Sequence, residues 1–191
     1  QANFTNEGGY GYRFRFLKNI MGLWMIQSVR NELMARGDSY SFAELCDAAE
    51  EAETEVLVDV SDDRFLAPTS MIEEVRTAVI EQGGTPPETP GELARVIYQS
   101  LAACYGTAVR ELEGITGKTF DTLHIVGGGS KAGYLNRLTA ETTGKKVLSG
   151  PAEATAIGNL GAQMIADGVF RDLTEFRRAV GKSFLEEGEG E

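Results

Sequence analysis

Three consecutive glycines, Gly127-Gly128-Gly129, follow directly on an apolar run from Phe120 to Val126. The run has the composition of a buried strand. Three absent side chains let the backbone bend sharply and leave it bare, so that another group can approach it closely. A helix is expected from about Ala132 to Thr142, which places the glycines at a strand-to-helix turn. The start of such a helix offers unpaired N–H groups and the positive end of its dipole, a ready seat for phosphate. A tight turn that needs positive φ and binds nothing would use the same residues, and the residues alone leave both readings open.

The rhythm continues downstream. Lys145 to Leu148 reads as a second strand, Gly150-Pro151 as a turn and Glu153 to Ala166 as a helix rich in small residues. Strand, helix, strand and helix at this spacing imply a parallel α/β unit. Gly127-Gly128-Gly129-Ser130-Lys131-Ala132 also satisfies G-x-G-x-x-A, the turn of dinucleotide-binding folds. That motif expects an acidic residue closing the next strand to hold a ribose. Here Ser149-Gly150-Pro151 stands there, which disfavours the dinucleotide reading. The chain has no GxxxxGK[ST], so it is no P-loop enzyme.

Upstream, residues 1–12 read as a loop. A long helix is expected from Leu17 to Met34, stopping at Gly37, with Ile20, Leu23, Trp24 and Gln27 on one face. Gln27 interrupts that face, and a polar residue at the edge of a buried helix needs a partner, either a backbone carbonyl or a ligand. Ser41 to Glu53 reads as a second helix and Glu55 to Val60 as a strand. Ser70 with Glu73 and Thr89 with Glu92 are capping boxes opening two more helices. The first ends at Gly83-Gly84, and the second has Pro90 at its tolerated first position and runs to Glu113, before Gly114.

Composition removes several function classes. The net charge of −11 argues against nucleic acid and against anionic membranes, both of which need clustered Lys and Arg. The two cysteines, Cys46 and Cys104, have no CxxC spacing and read as buried free thiols of a reducing compartment, so a cytoplasmic protein is expected. The one histidine, His124, lies inside a strand and reads as a core residue, leaving no base for a Ser-His-Asp triad. Asp62-Asp63 reads first as a pair capping local N–H groups and second as part of a metal site. No Cys/His metal site is expected. The acidic end of the chain, residues 181–191, reads as a disordered tail.

These segments resemble the C-terminal domain of the FGGY carbohydrate kinases. The matching stretches are Asn3 to Gly9, Phe16 to Trp24, Asp62 to Phe65 and His124 to Gly129. Gly150-Pro151, Glu153-Ala154-Thr155 and Gly158-Asn159 complete the set. The first two stretches are particular to members acting on L-rhamnulose. The resemblance implies an actin-like, ribonuclease H-like α/β domain, a mixed sheet flanked by helices, over residues 1–180. It also implies that an N-terminal catalytic domain lies outside this chain, in keeping with a first residue that is Gln1 rather than Met. By the same resemblance Gln27, Gly127, Gly128 and Gly129 contact ATP, and Asn19 lies near the sugar and phosphates. The implied reaction is transfer of a phosphoryl group from ATP, with Mg2+, to the 1-hydroxyl of L-rhamnulose, and such catalysis is mostly positioning and charge stabilisation. The implied catalytic Asp belongs to the other domain, so residues 1–191 alone are expected to be inert. A kinase for another sugar and a non-enzymatic actin-like module are the alternatives.

Overall fold

The computed structural model describes residues 3–184. Elements follow in the order β1 (Thr5–Gly8), β2 (Phe14–Leu17), α1 (Trp24–Ala35), α2 (Phe42–Glu51), α3 (Met71–Glu81), α4 (Pro90–Thr116), β3 (Thr122–Ile125), α5 (Gly133–Thr143), β4 (Lys146–Ser149), α6 (Ala154–Ala166) and α7 (Leu173–Phe184). The chain is α/β, with helices and small sheets. The expected single mixed sheet is replaced, among the described residues, by two separate pairs. β1 and β2 are antiparallel, and β3 and β4 are parallel.

The core is helical and is built around α4. Local signals fix where α4 begins. Thr89 accepts a bond from the Glu92 amide while the Glu92 carboxylate takes the Thr89 amide, a reciprocal cap worth about 1 kcal/mol. The helix runs through Gly114, where the sequence predicts its end, and stops at Gly117, whose φ of 65° is left-handed. Its apolar face buries Ile97 and Leu101 completely against Met25 and Val29 of α1, Leu45 of α2 and Val75 of α3. Each such side chain contributes about 1.5–3 kcal/mol by leaving water. Gly91 permits the closest approach, since a β-carbon there would lie 2.7 Å from the Ala48 carbonyl oxygen of α2.

Several sequence expectations give way. Residues 5–12, expected as loop, instead belong to a hairpin over residues 5–17, held by its ladder, by the Arg15–Glu7 ion pair and by Phe4 stacked on Phe16 at 4.8 Å. Its faces are exposed, yet the alternation Tyr12-Arg13-Phe14-Arg15-Phe16 leading through β2 is a period-two signal that the loop reading passes over. The first long helix starts at Trp24 instead of Leu17, because Gly22 takes a φ of 61° that a helix cannot accommodate. Residues 55–60 are not a strand, for they meet no partner strand among the described residues and the Val58 amide bonds the Ser100 hydroxyl of α4 at 2.9 Å. Ser70 caps α3, but Glu73 does not reciprocate, its carboxylate being drawn to Arg76. Glu32 of α1 completes that cap from across the core, accepting from the Met71 amide and the Ser70 hydroxyl. α7 carries the fold through Phe184, past the expected start of the tail at residue 181; residues 185–191 lie outside the described residues.

Among the described residues no helix is long and apolar enough to cross a membrane. Cys46 is buried, Cys104 is half-buried, and both are free thiols.

Candidate functional site

The parallel pair positions the glycine turn. The Gly150 amide donates to the Ile125 carbonyl at 2.8 Å, and the Gly127 amide donates to the Pro151 carbonyl at 3.1 Å. The two strand ends are therefore stitched together just beyond their last ladder positions. Gly150 is needed for this closure, because a β-carbon there would come within 2.8 Å of Val126 Cγ1. Residues 127–131 then wind as one 3-10 turn, in which the Ser130 hydroxyl donates to the Gly127 carbonyl at 2.8 Å. Buried Asn136 of α5 braces the turn from behind, its Nδ2 donating to the Ser130 carbonyl and to the Ser149 hydroxyl.

The three glycines are not equivalent. Gly127 has a φ of 76°, so its backbone alone accounts for glycine. Gly129 sits in ordinary contact with Ile125 and Leu23, at 3.6 and 3.7 Å from a notional β-carbon. Gly128 has neither constraint. Its φ is not left-handed, and a β-carbon there would meet nothing within 4 Å. Internal packing therefore gives no reason for glycine at 128.

Gly128 opens onto a cavity of ≈ 310 Å³ that Gln27 also lines. α1 brings Gln27, Ile26 and the preceding Leu23, α2 brings Phe42, and α4 brings Tyr98, while Lys131 and Ala132 come from the end of the turn. The wall is mostly apolar and carries few polar groups, the character of a small-molecule site. Lys131 is the one charged residue among those lining it. Burial holds the Tyr98 phenol well above the ordinary tyrosine range, so its hydroxyl stays protonated. The Arg30 guanidinium lies 4.9 Å from the centre of the Phe42 ring and is itself tied by Nε to the Tyr40 carbonyl at 2.6 Å.

The structure thus places two of the sequence-predicted residues, Gln27 and Gly128, on one cavity and gives Gly127 and Gly129 structural positions beside it. Gln27 is exposed, not an edge-of-core residue, and Ile20 does not share its helix. Asn19 is exposed in the connection between β2 and α1 and does not line this cavity. His124 is exposed on β3 instead of buried, because no element covers that face among the described residues. Asp62 accepts from the Arg64 amide at 2.9 Å and from its Nε at 3.1 Å, the local cap expected of an Asp-Asp loop. Among the described residues no group of three His, Cys, Asp or Glu could hold a metal ion. Phe42, Tyr98 and Lys131 were not singled out from sequence. Lys131 closes the turn and could have been, whereas Phe42 and Tyr98 come from separate helices without a local signal.

Comparison with known proteins agrees with this architecture. Residues 1–166 match the model of the FGGY family of carbohydrate kinases, C-terminal domain. The chain is 48% identical over 182 residues to a rhamnulokinase of Halalkalibacterium halodurans, covering 95% of this chain and 38% of that protein. It is 45% identical to the rhamnulokinase of Bacillus subtilis, covering 96% of this chain and 38% of that one. It is 41% identical to the rhamnulokinase of Klebsiella pneumoniae, covering 94% and 36%. The chain therefore spans well under half the length of the curated relatives it matches. With its glycine turn set on a parallel β-α-β unit and a family match over residues 1–166, the chain belongs to the FGGY family of carbohydrate kinases, in their C-terminal domain.

Proposed function

We propose that this chain is the nucleotide-binding part of a cytoplasmic sugar kinase that transfers the γ-phosphate of ATP to the 1-hydroxyl of L-rhamnulose, giving L-rhamnulose 1-phosphate, on an actin-like, ribonuclease H-like framework. The observation that carries the reading is the open backbone at Gly128. It needs no glycine for its own packing, yet it is bare where it borders a cavity shared with Gln27. The sugar is suggested by the rhamnulokinases that the chain resembles.

The base and ribose of ATP suit this cavity, whose ≈ 310 Å³ lies at the lower end of small-molecule pockets of about 300–1,000 Å³. ATP supplies the phosphoryl group. Leu23, Ile26, Tyr98 and Ala132 offer an apolar wall that excludes water from the base, and Gln27 offers an amide to hydrogen-bond it. Gly128 lets the ribose approach the backbone, with Gly127 and Gly129 holding the turn in shape, and Lys131 at the rim favours the phosphates. Asn19, in the open connection before α1, is proposed to meet the sugar and phosphates once the rest of the protein is in place. Mg2+ in such sites is usually held by one or two carboxylates and the phosphates. No acidic side chain lines this cavity, so no residue of this chain is assigned to the metal. The proton acceptor for the sugar hydroxyl is assigned to an N-terminal domain of the same polypeptide, which would close over the site.

A panel of ketoses with the full-length protein, read by ADP release, tests the reading. The highest kcat/KM is expected with L-rhamnulose. A higher value with another sugar would reassign the substrate, and absence of sugar-dependent ADP release with every sugar would remove the kinase.

A further inference from the structure

Two aromatic residues line the cavity beside the glycine turn, and they stand differently. Tyr98 is 1% exposed and belongs to the core, whereas Phe42 is 47% exposed. Phe42 opens α2 directly after its cap. The Glu44 amide donates to the Ser41 hydroxyl at 3.1 Å and the Ser41 amide to the Glu44 carboxylate at 2.7 Å, so the backbone that carries the ring is fixed. One turn on, Leu45 and Cys46 lie on the same side of the helix and are buried in the core, as is Ala49. Phe42 therefore heads an apolar stripe, yet its own ring is left outside the core and borders the cavity.

The ring is held without being covered. Arg30 of α1, half-buried, lies over it with the guanidinium 4.9 Å from the ring centre, and its Nε donates to the Tyr40 carbonyl at 2.6 Å. The cation takes one face of the ring, and the carbonyl keeps the cation in place. An exposed phenylalanine by itself needs no explanation. Braced on one face and bordering a small-molecule cavity, this one is a flat surface ordered before any ligand arrives, so little side-chain freedom is lost on binding. Every nucleobase has a flat π-face that such a surface can take.

We infer that Phe42 is the stacking platform for the nucleobase, with Arg30 as its positioning residue, and that it makes the site prefer a purine over a pyrimidine. The inference rests on the nucleotide site proposed above and adds the residue that reads the base. A ring recognises a base through overlapping area, not through hydrogen bonds, so the larger purine gains more. Gly128 and Lys131 differ from it in kind, since they are assigned to the ribose and phosphates that all nucleoside triphosphates share.

Titration of the full-length protein with ATP and with CTP tests it in two variants. Phe42→Leu keeps apolar bulk without a ring, and Phe42→Tyr keeps the ring. Wild type is expected to bind ATP more tightly than CTP. Phe42→Leu should weaken ATP by about fivefold or more and CTP by less, while Phe42→Tyr should stay within about twofold of wild type for both. Thermal midpoints without ligand check that both variants fold. Equal losses for ATP and CTP would make Phe42 a packing residue and overturn the inference. So would wild-type affinities in Phe42→Leu, or a loss in Phe42→Tyr as large as in Phe42→Leu. Gly128→Val titrated alongside separates the two readings. If it weakens ATP and Phe42→Leu does not, only the role of Phe42 fails; if neither does, the nucleotide lies elsewhere and both fail.

Discussion

Gln27 on α1 and Gly128 in the turn after β3 line the same cavity, 101 positions apart in the sequence. If that cavity holds the nucleotide base and ribose, Gln27→Ala removes one hydrogen bond. A loss of about 0.5–1.5 kcal/mol, roughly twofold to thirteenfold in Kd, is expected for ATP in the full-length protein. Calorimetric titration reads it directly, and an unchanged Kd would make Gln27 an ordinary solvent-facing side chain.

Gly161 of α6 lies directly beneath the Phe176 ring of α7, where a β-carbon would come within 2.2 Å of Cε1. Gly161→Ala should therefore push the two helices apart and cost about 1–3 kcal/mol, seen as a lower thermal midpoint. Phe176→Leu in the same background should recover part of the loss. If Gly161→Ala unfolds like wild type, α7 is not packed as described.

Glu113 near the end of α4 fastens the start of the β unit, taking the Lys145 ammonium at 2.7 Å and the Phe120 amide at 2.9 Å. The Lys145 contact first, and the Phe120 amide second, hold its carboxyl below the ordinary value of 4.5. A depressed carboxyl contributes stability that is full above 4.5 and is lost as pH falls through the lower folded value. Glu113→Gln should thus have a lower thermal midpoint at pH 7, with the gap to wild type closing below pH 4.5. A gap that stays constant with pH would show that Glu113 acts through packing alone.

How much of this was legible follows from range. The Thr89 cap and the β3–turn–α5–β4 unit are written in neighbouring residues, and both formed within a few residues of expectation. The second strand of the hairpin, Phe14–Leu17, was legible in the alternation Tyr12-Arg13-Phe14-Arg15-Phe16, whereas Thr5–Gly8 is polar and carries no strand signal of its own. Val56 to Val60 has strand composition, but strand formation needs a partner, and Ser100 took the Val58 amide instead. In the site, the three glycines stood out together, Gln27 stood out through an edge-of-core placement that the structure replaces with an exposed one, and only the family resemblance marked Gly128 and Gln27 as ATP contacts. Phe42 and Tyr98 satisfy ordinary helix patterns, and only the packing of α2 and α4 brings them to the cavity.

Residues 1–191 alone should release no ADP in response to L-rhamnulose, since the acceptor of the hydroxyl proton is assigned to the N-terminal domain in the function proposed above. A coupled ADP assay checks this, with the full-length protein as the positive control. Turnover by the short chain would place the base within it and undo the division of labour proposed above.

The most direct test is ATP titration of full-length Gly128→Val alongside wild type. The space over Gly128 is empty and its φ is ordinary, so the fold should tolerate the side chain, and an unchanged thermal midpoint without ligand would verify that. The account predicts that ATP affinity falls by more than about tenfold, over 1.4 kcal/mol, because the valine fills the space assigned to the ribose. Wild-type affinity in a folded Gly128→Val protein would contradict it and move the nucleotide elsewhere.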